Sequence, residues 1–173
     1  TPLYSSAASD VYKRQMRHYQ GLQVASCQVE VFHQVTSYLR RLDTGEILDS
    51  VELDYPPQRL VTRAVAYTMP ESTLRSWGVG SDSAPGALHA AEHAAIGMLP
   101  LIATCDRWDI GGVSTVMHAD TQQPTVFVYD GHPGGAGFAD RGYEAFAQWI
   151  RATRDAVAAC ECCLLYTSDA ADE

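Results

Sequence analysis

Residues 85–112 read PGALHAAEHAAIGMLPLIATCDRWDIGG, and this stretch decides the fold of the chain. It begins with Pro-Gly and continues through Ala, Leu, Ile and Met, which predicts a helix. Side chains at the helical period predict one apolar, packed stripe: Leu88, Ala91, Ala95, Met98 and Ile102. The Gly-Gly pair at 111–112 is expected to close the helix.

The sequence before this helix favours β-structure. Residues 19–38 alternate apolar and polar side chains, with a break near Ser26, and residues 47–53 and 59–68 read as further strands. We expect an antiparallel meander or a partly closed barrel here. Its arginines are expected to lie on a solvated strand face: Arg40, Arg41, Arg59 and Arg63.

The sequence after the central helix predicts short strands and a final helix. Residues 70–77 form a short helix before the central one, residues 113–118 a short strand, and residues 125–129 (TVFVY) a buried strand. Apolar side chains at helical spacing fill residues 138–159. The fold class is α+β: N-terminal antiparallel strands, a central Ala-rich amphipathic helix, short strands, and a C-terminal helix that ends at Cys160 and Cys162.

Both ends of the chain resemble the translation of one sequencing adapter. Residues 5–15 read SSAASDVYKRQ and residues 163–173 read CLLYTSDAADE. One possible coding of the first string gives the second when its opposite strand is read one base along. We therefore expect residues 1–15 and 163–173 to be adapter-derived and residues 16–162 to be a fragment of a longer protein.

The composition limits the classes of function. The formal net charge is −9, and residues 16–162 carry ten arginines against seventeen acidic residues, a net charge of −7. This acidity argues against wrapping nucleic acid through bulk charge, although a local arginine patch can still contact phosphates. No apolar run is long enough for a membrane span. Because Cys27, Cys105, Cys160 and Cys162 form no secreted disulfide framework, a cytoplasmic location is expected.

The central helix carries His89, Glu92 and His93 in the order His-x-x-Glu-His. One class of zinc hydrolase uses this order, with two histidines on the metal and the glutamate activating water. Such a site needs a third protein ligand, and His118 and Asp130 are available. The alternative is a packed helix whose buried imidazoles are hydrogen-bonded to Glu92 or to backbone carbonyls.

A glycine-rich loop, DGHPGGAG at residues 130–137, lies between the buried strand and the last helical segment. The N–H groups of Gly134, Gly135 and Gly137 can hold a small anion or a nucleotide. The spacing matches neither a P-loop nor a dinucleotide fingerprint. The alternative is conformational, because glycine supplies positive φ and close backbone approach.

The chain also holds Cys160-Glu161-Cys162 directly after the last helical segment. Two nearby thiolates are half of a structural zinc site, which normally needs four ligands. The alternative is a pair of free thiols at a frayed end.

Several long strings in this order resemble the C-terminal zinc-binding domain of the mitomycin-repair superfamily 2 DNA helicases. They are GALHAAEHAAIGMLPL, CDRWDIGG, VFVYDGHPGGAGFADRGYE and the closing Cys-x-Cys. The upstream YLRRLDTGEILDSVELDYPPQRLVTRAVAYT is similar to the region preceding that domain, so the resemblance covers nearly all of residues 21–162. It implies an accessory domain of an ATP-dependent helicase acting in DNA repair. In the family four cysteines near the chain end bind zinc, and Cys160 and Cys162 match the first two.

The resemblance also sets what we expect of the fragment itself. It contains no Walker or other motor motif, so we expect no catalytic residue and no enzymatic activity of its own. ATP and magnesium would be bound only by the missing motor domains, and zinc by the complete site of the parent protein. The implied partners are DNA through the parent helicase, the motor domains of the same chain, and a nuclease. Asp106 and Asp109 are expected to cap or to pair with Arg107 and Arg141.

Overall fold

The computed structural model describes the backbone of residues 2–160 and the side chains of residues 15–160. The strands are β1 (Pro2–Tyr19), β2 (Leu22–Arg41), β3 (Ile47–Glu52), β4 (Gln58–Thr68), β5 (Ile110–Thr115) and β6 (Thr125–Asp130). The helices are α1 (Glu71–Ser76), α2 (Ala84–Met98), α3 (Pro100–Ala103), α4 (Phe138–Glu144) and α5 (Phe146–Ala159), and a 3-10 helix covers Arg107–Asp109. The α+β class predicted from the sequence is confirmed.

All six strands belong to one antiparallel sheet in the order β1-β2-β4-β6-β5, with β3 paired to the end of β2. Gln20 and Gly21, both with positive φ, form the tight turn from β1 into β2. β2 spans 20 residues and therefore pairs with three different strands. Strands over most of residues 22–68 are confirmed where they were predicted, but the predicted break near Ser26 was wrong, because β2 runs through Ser26 and pairs with β4 in continuous register. The adapter origin of residues 1–15 stays a prediction.

The two faces of the sheet bury two apolar clusters, because successive strand residues point to opposite sides. One face packs on the helices through Val24, Val65, Val126, Val128, Leu88, Leu99, Phe146 and Trp149. The other face gathers Cys27, Val29, Val31, Ala64, Phe127 and Tyr129. β6 is buried over its whole length, as its apolar run predicts.

The central stretch forms a shorter helix than the sequence predicts. α2 ends at Met98, Pro100 begins the four-residue α3, and Thr104 ends it with φ 56°. The Gly-Gly pair lies inside β5 and closes no helix, so that prediction was wrong. A Cβ at Gly111 would lie 2.5 Å from the Tyr129 ring, and one at Gly112 would lie 2.5 Å from Ile96 Cδ1. These glycines therefore serve close packing of β5 on its neighbours.

The C-terminal helical segment is two helices separated at Ala145. Within α5, the rings of Phe146 and Trp149 meet edge to face in the core, with centroids 6.0 Å apart. Over residues 2–160, no helix combines the length and the apolar character that crossing a bilayer requires.

Candidate functional site

The glycine loop is filled by the protein's own carboxylate. Asp130 is fully buried, and its Oδ2 accepts the N–H groups of Ala136 at 2.6 Å and Gly137 at 2.8 Å. Its Oδ1 accepts the N–H of Ala139 at 2.6 Å. Asp130 thus occupies the position that an external anion would take at the start of α4.

The remaining loop N–H groups are also used internally. Gly134 donates to the carbonyl oxygen of Val61 at 2.8 Å, and Gly135 donates to that of His132 at 3.0 Å. Gly135 has φ 87°, and a Cβ there would lie 2.4 Å from Arg63 Cγ. The loop therefore has a conformational role, and its geometry does not support the anion-binding interpretation.

Arg63 joins the sheet to α4 and does not lie on a solvated face, which corrects the expectation for this arginine. Its Nη2 donates to Asp140 Oδ1 and to Ser26 Oγ, each at 2.7 Å. The guanidinium hydrogen bond to Asp140 lowers the pKa of that carboxyl below its usual 3.8, and the hydroxyl of Ser26 adds to the effect. Arg40 and Arg59 form ion pairs with Asp49 and Glu30 at the surface.

The string CDRWDIGG meets the glycine loop through a contact that sequence reasoning missed. Asp109 Oδ1 lies 3.0 Å from His132 Nε2, and the N–H of Asp106 donates to Asp109 Oδ2 at 3.0 Å. These two donors, the N–H first, lower the pKa of Asp109. Asp106 and Asp109 cap the 3-10 helix, which is one of the two expected alternatives, and Asp109 pairs with His132. Arg141 instead pairs with Glu144.

His89, Glu92 and His93 come together on α2. Their ligand atoms all lie within 4.8 Å of one another, and His89 Nδ1 is 3.6 Å from Glu92 Oε2. The two imidazole rings meet edge to face with centroids 4.3 Å apart. The His89 side chain is 56% exposed, whereas that of Glu92 is 8% exposed.

The third ligand that a zinc hydrolase needs is not supplied by either candidate. Asp130 is held by its three N–H donors, and His118 packs on Phe127 while its Nδ1 accepts the N–H of Asp120. Among residues 15–160, no further histidine, cysteine or carboxylate joins the group on α2. Glu92 would then have to be a ligand, which leaves no base to activate water. The hydrolase interpretation is not favoured.

The cysteines of the described residues do not gather into a site. Cys160 is exposed and follows α5 directly, Cys105 is half-buried, and Cys27 is buried with its thiol directed at the Ala64 carbonyl. Cys162 lies outside the described residues. The described part of the chain thus holds one of the two predicted thiolate ligands, and a zinc site fits here only with ligands beyond residue 160.

These features define the class: an α+β domain whose glycine loop is filled by its own carboxylate and whose last helix ends at Cys160. Residues 91–165 match the family model described as the MrfA Zn-binding domain. The resemblance stated from the sequence is therefore confirmed.

The chain is similar to segments of longer proteins. Over 65 residues the chain is 35% identical to the "Uncharacterized ATP-dependent helicase YprA" of Bacillus subtilis (strain 168), which covers 38% of this chain and 9% of that protein. The DUF1998 helicase MrfA bound to DNA matches 94% of this chain and 21% of its own, with a TM-score of 0.71 at 22% identity. A further crystal structure of the DUF1998 helicase MrfA has a TM-score of 0.60 at 21% identity, and the match covers 93% of this chain and 21% of that one. The chain thus spans about a fifth or less of the relatives it matches.

Proposed function

We propose that this chain is the accessory C-terminal region of an ATP-dependent DNA helicase that acts in DNA repair. The observation that carries the proposal is the match of residues 91–165 to the MrfA Zn-binding domain, within a fold that resembles MrfA over 94% of the chain. In this proposal residues 16–162 are the protein segment and the flanking residues are adapter-derived.

The region contributes architecture and no turnover of its own. The glycine loop supports this assignment, because Asp130 already occupies it and leaves no N–H cradle for a phosphate. ATP and magnesium are assigned to the motor domains of the parent protein. Cys160 and Cys162 are assigned as the first two thiolate ligands of a structural zinc site, which the parent protein completes with further cysteines.

DNA is the partner of the parent protein, in the cytoplasm, and a nuclease is a candidate second partner. The acidic net charge of −7 over residues 16–162 means that this domain adds little through bulk attraction to phosphates. Its contribution would come from local contacts or from fixing the motor domains in position.

The test uses the parent protein expressed from the uninterrupted gene. We expect ATP-dependent unwinding of a forked duplex, bound zinc that is lost in Cys160→Ser/Cys162→Ser, and slower unwinding by that variant. The present chain alone should hydrolyse neither ATP nor ester and peptide substrates with added zinc. A parent protein without ATP-dependent unwinding, or hydrolysis by this chain that His93→Ala abolishes, would overturn the proposal.

A further inference from the structure

We propose that His89, Glu92 and His93 form a second metal site, on the side of α2, for a divalent transition ion such as Zn²⁺. The site is separate from the cysteines after α5 and does not depend on them. Positions i, i+3 and i+4 of a helix lie on one side of it, so the three side chains converge without any loop rearrangement. Their ligand atoms already lie within 4.8 Å of one another.

The first support is the burial of the Glu92 carboxylate. The residue is 6% exposed and packs against β5, where a Cβ on Gly112 would lie 2.9 Å from Glu92 Oε1. His89 Nδ1 approaches the other oxygen at 3.6 Å, which is longer than a hydrogen bond. A buried carboxylate is costly unless a cation or strong donors compensate for its lost hydration. A divalent ion at this position would provide that compensation.

The second support is an unsatisfied hydroxyl on a residue that lines the same cavity as His93. Within the described residues, the buried hydroxyl of Tyr67 has no hydrogen-bond partner. A water in that cavity would give the Tyr67 hydroxyl its missing partner.

The ligand atoms of His89, Glu92 and His93 indicate which ion the site would bind. Two imidazole nitrogens and one carboxylate oxygen suit Zn²⁺, with metal–ligand distances of about 2.0–2.2 Å. The exposed His89 can rotate to close the set, and it lines an open depression with Pro85 and Ser114 through which an ion can enter. Because Glu92 is a ligand here, the ion tightens the contact of α2 with β5 and performs no hydrolysis.

The test starts from Cys160→Ser/Cys162→Ser, so that the two thiols assigned to the structural zinc site cannot contribute. Titration with Co²⁺, followed by calorimetry and by absorption, should show saturable binding without thiolate charge-transfer bands. Zn²⁺ should compete for the site and raise the thermal midpoint. Adding His89→Ala should weaken binding more than about 100-fold, while the fold is kept because this side chain is exposed. His132→Ala, an exposed histidine that also faces a carboxylate, is the matched control and should bind as before.

Two results would overturn this inference. One is the absence of saturable Co²⁺ or Zn²⁺ binding in the folded Cys160→Ser/Cys162→Ser protein, and the other is binding that His89→Ala and Glu92→Gln leave unchanged. The proposed function is tested separately, because unwinding by the parent protein and zinc bound to its cysteines do not require an ion on α2.

Discussion

The indole N–H of Trp149 donates to the backbone carbonyl oxygen of Ala95 at 2.9 Å, which joins α5 to α2. Both residues are fully buried. The same carbonyl accepts the N–H of Leu99 at 3.0 Å, so one oxygen serves both the end of α2 and the contact between the two helices. The bond fixes the position of α5 along α2.

Trp149→Phe should destabilise the domain by about 2–3 kcal/mol, because it removes that hydrogen bond and leaves a cavity in the core. The measurement is the free energy of unfolding from urea titration. Trp77→Phe is the matched control, since Trp77 is 53% exposed, and it should change stability by less than about 0.5 kcal/mol. Equal losses in the two variants would contradict the role assigned to the Trp149–Ala95 bond.

Asp130→Asn should destabilise the domain by about 3 kcal/mol. One amide oxygen cannot replace both carboxylate oxygens, and the amide NH₂ would face backbone donors in a fully buried position. Asp43→Asn, in the exposed turn before β3, is the control and should have little effect. A thermal midpoint for Asp130→Asn near that of Asp43→Asn would show that the carboxylate does not hold the loop.

The Arg63–Asp140 pair should make stability depend on pH in the acid range. The folded pKa of Asp140 is lowered, so its contribution is present above the unfolded pKa of about 3.9 and is lost as pH falls through the lower folded value. Asp140→Asn should therefore be less stable than the unmodified chain at pH 7, with a difference that shrinks below about pH 4. Both side chains are about a third exposed or more, so the difference should be under about 1 kcal/mol.

The measurement is the urea midpoint at a series of pH values between neutrality and acid. Asp155→Asn, which removes the exposed pair with Arg154, is the control and should give a curve parallel to that of the unmodified chain. A difference for Asp140→Asn that grows as the pH falls would have the wrong sign and would exclude this account.

Two Gly→Ala changes should act in opposite directions. Gly112→Ala places a methyl group 2.5 Å from Ile96 Cδ1 and 2.8 Å from Glu92 Cγ, and overpacking should cost about 1–3 kcal/mol. Gly97→Ala, on the exposed side of α2 with nothing within 4 Å of the new Cβ, should stabilise by about 0.5–1 kcal/mol. Thermal midpoints of both variants provide the comparison. An unchanged thermal midpoint for Gly112→Ala would mean that β5 can move away from α2 to accommodate the methyl group.

The sequence predicted the elements better than their orientation. Alternation in β2 and β4 and the apolar run of β6 identified strands that the sheet contains. The apolar stripe on α2 was only partly right: Leu88 and Ala95 are buried, but Ala91 and Met98 are half-buried. Glu92 takes a buried position instead, since a helix rich in small alanines specifies its inward side weakly and β5 decides it.

Contacts between distant strings could not be predicted from local pattern. The pairing of Asp109 with His132 and of Arg63 with Asp140 joins residues 23 and 77 positions apart. Gly111 and Gly112 read as a helix terminator because glycine carries the same local signal at a helix end and in a crowded strand. For the loop, the sequence left two alternatives, and the position of Asp130 supports the conformational one.

The C-terminal helix α5 is joined to α2 near its N-terminal end and carries Cys160 directly after its C-terminal end. From Trp149 to Cys160 the helix advances about 1.5 Å per residue, so Cys160 lies about 16 Å along the helix axis from the Trp149–Ala95 hydrogen bond. A displacement of that cysteine, for example on metal binding, would act on the Trp149–Ala95 hydrogen bond. Such a displacement would reach the sheet through α2, because Ala95 lies two residues after His93 on the helix that packs on β5.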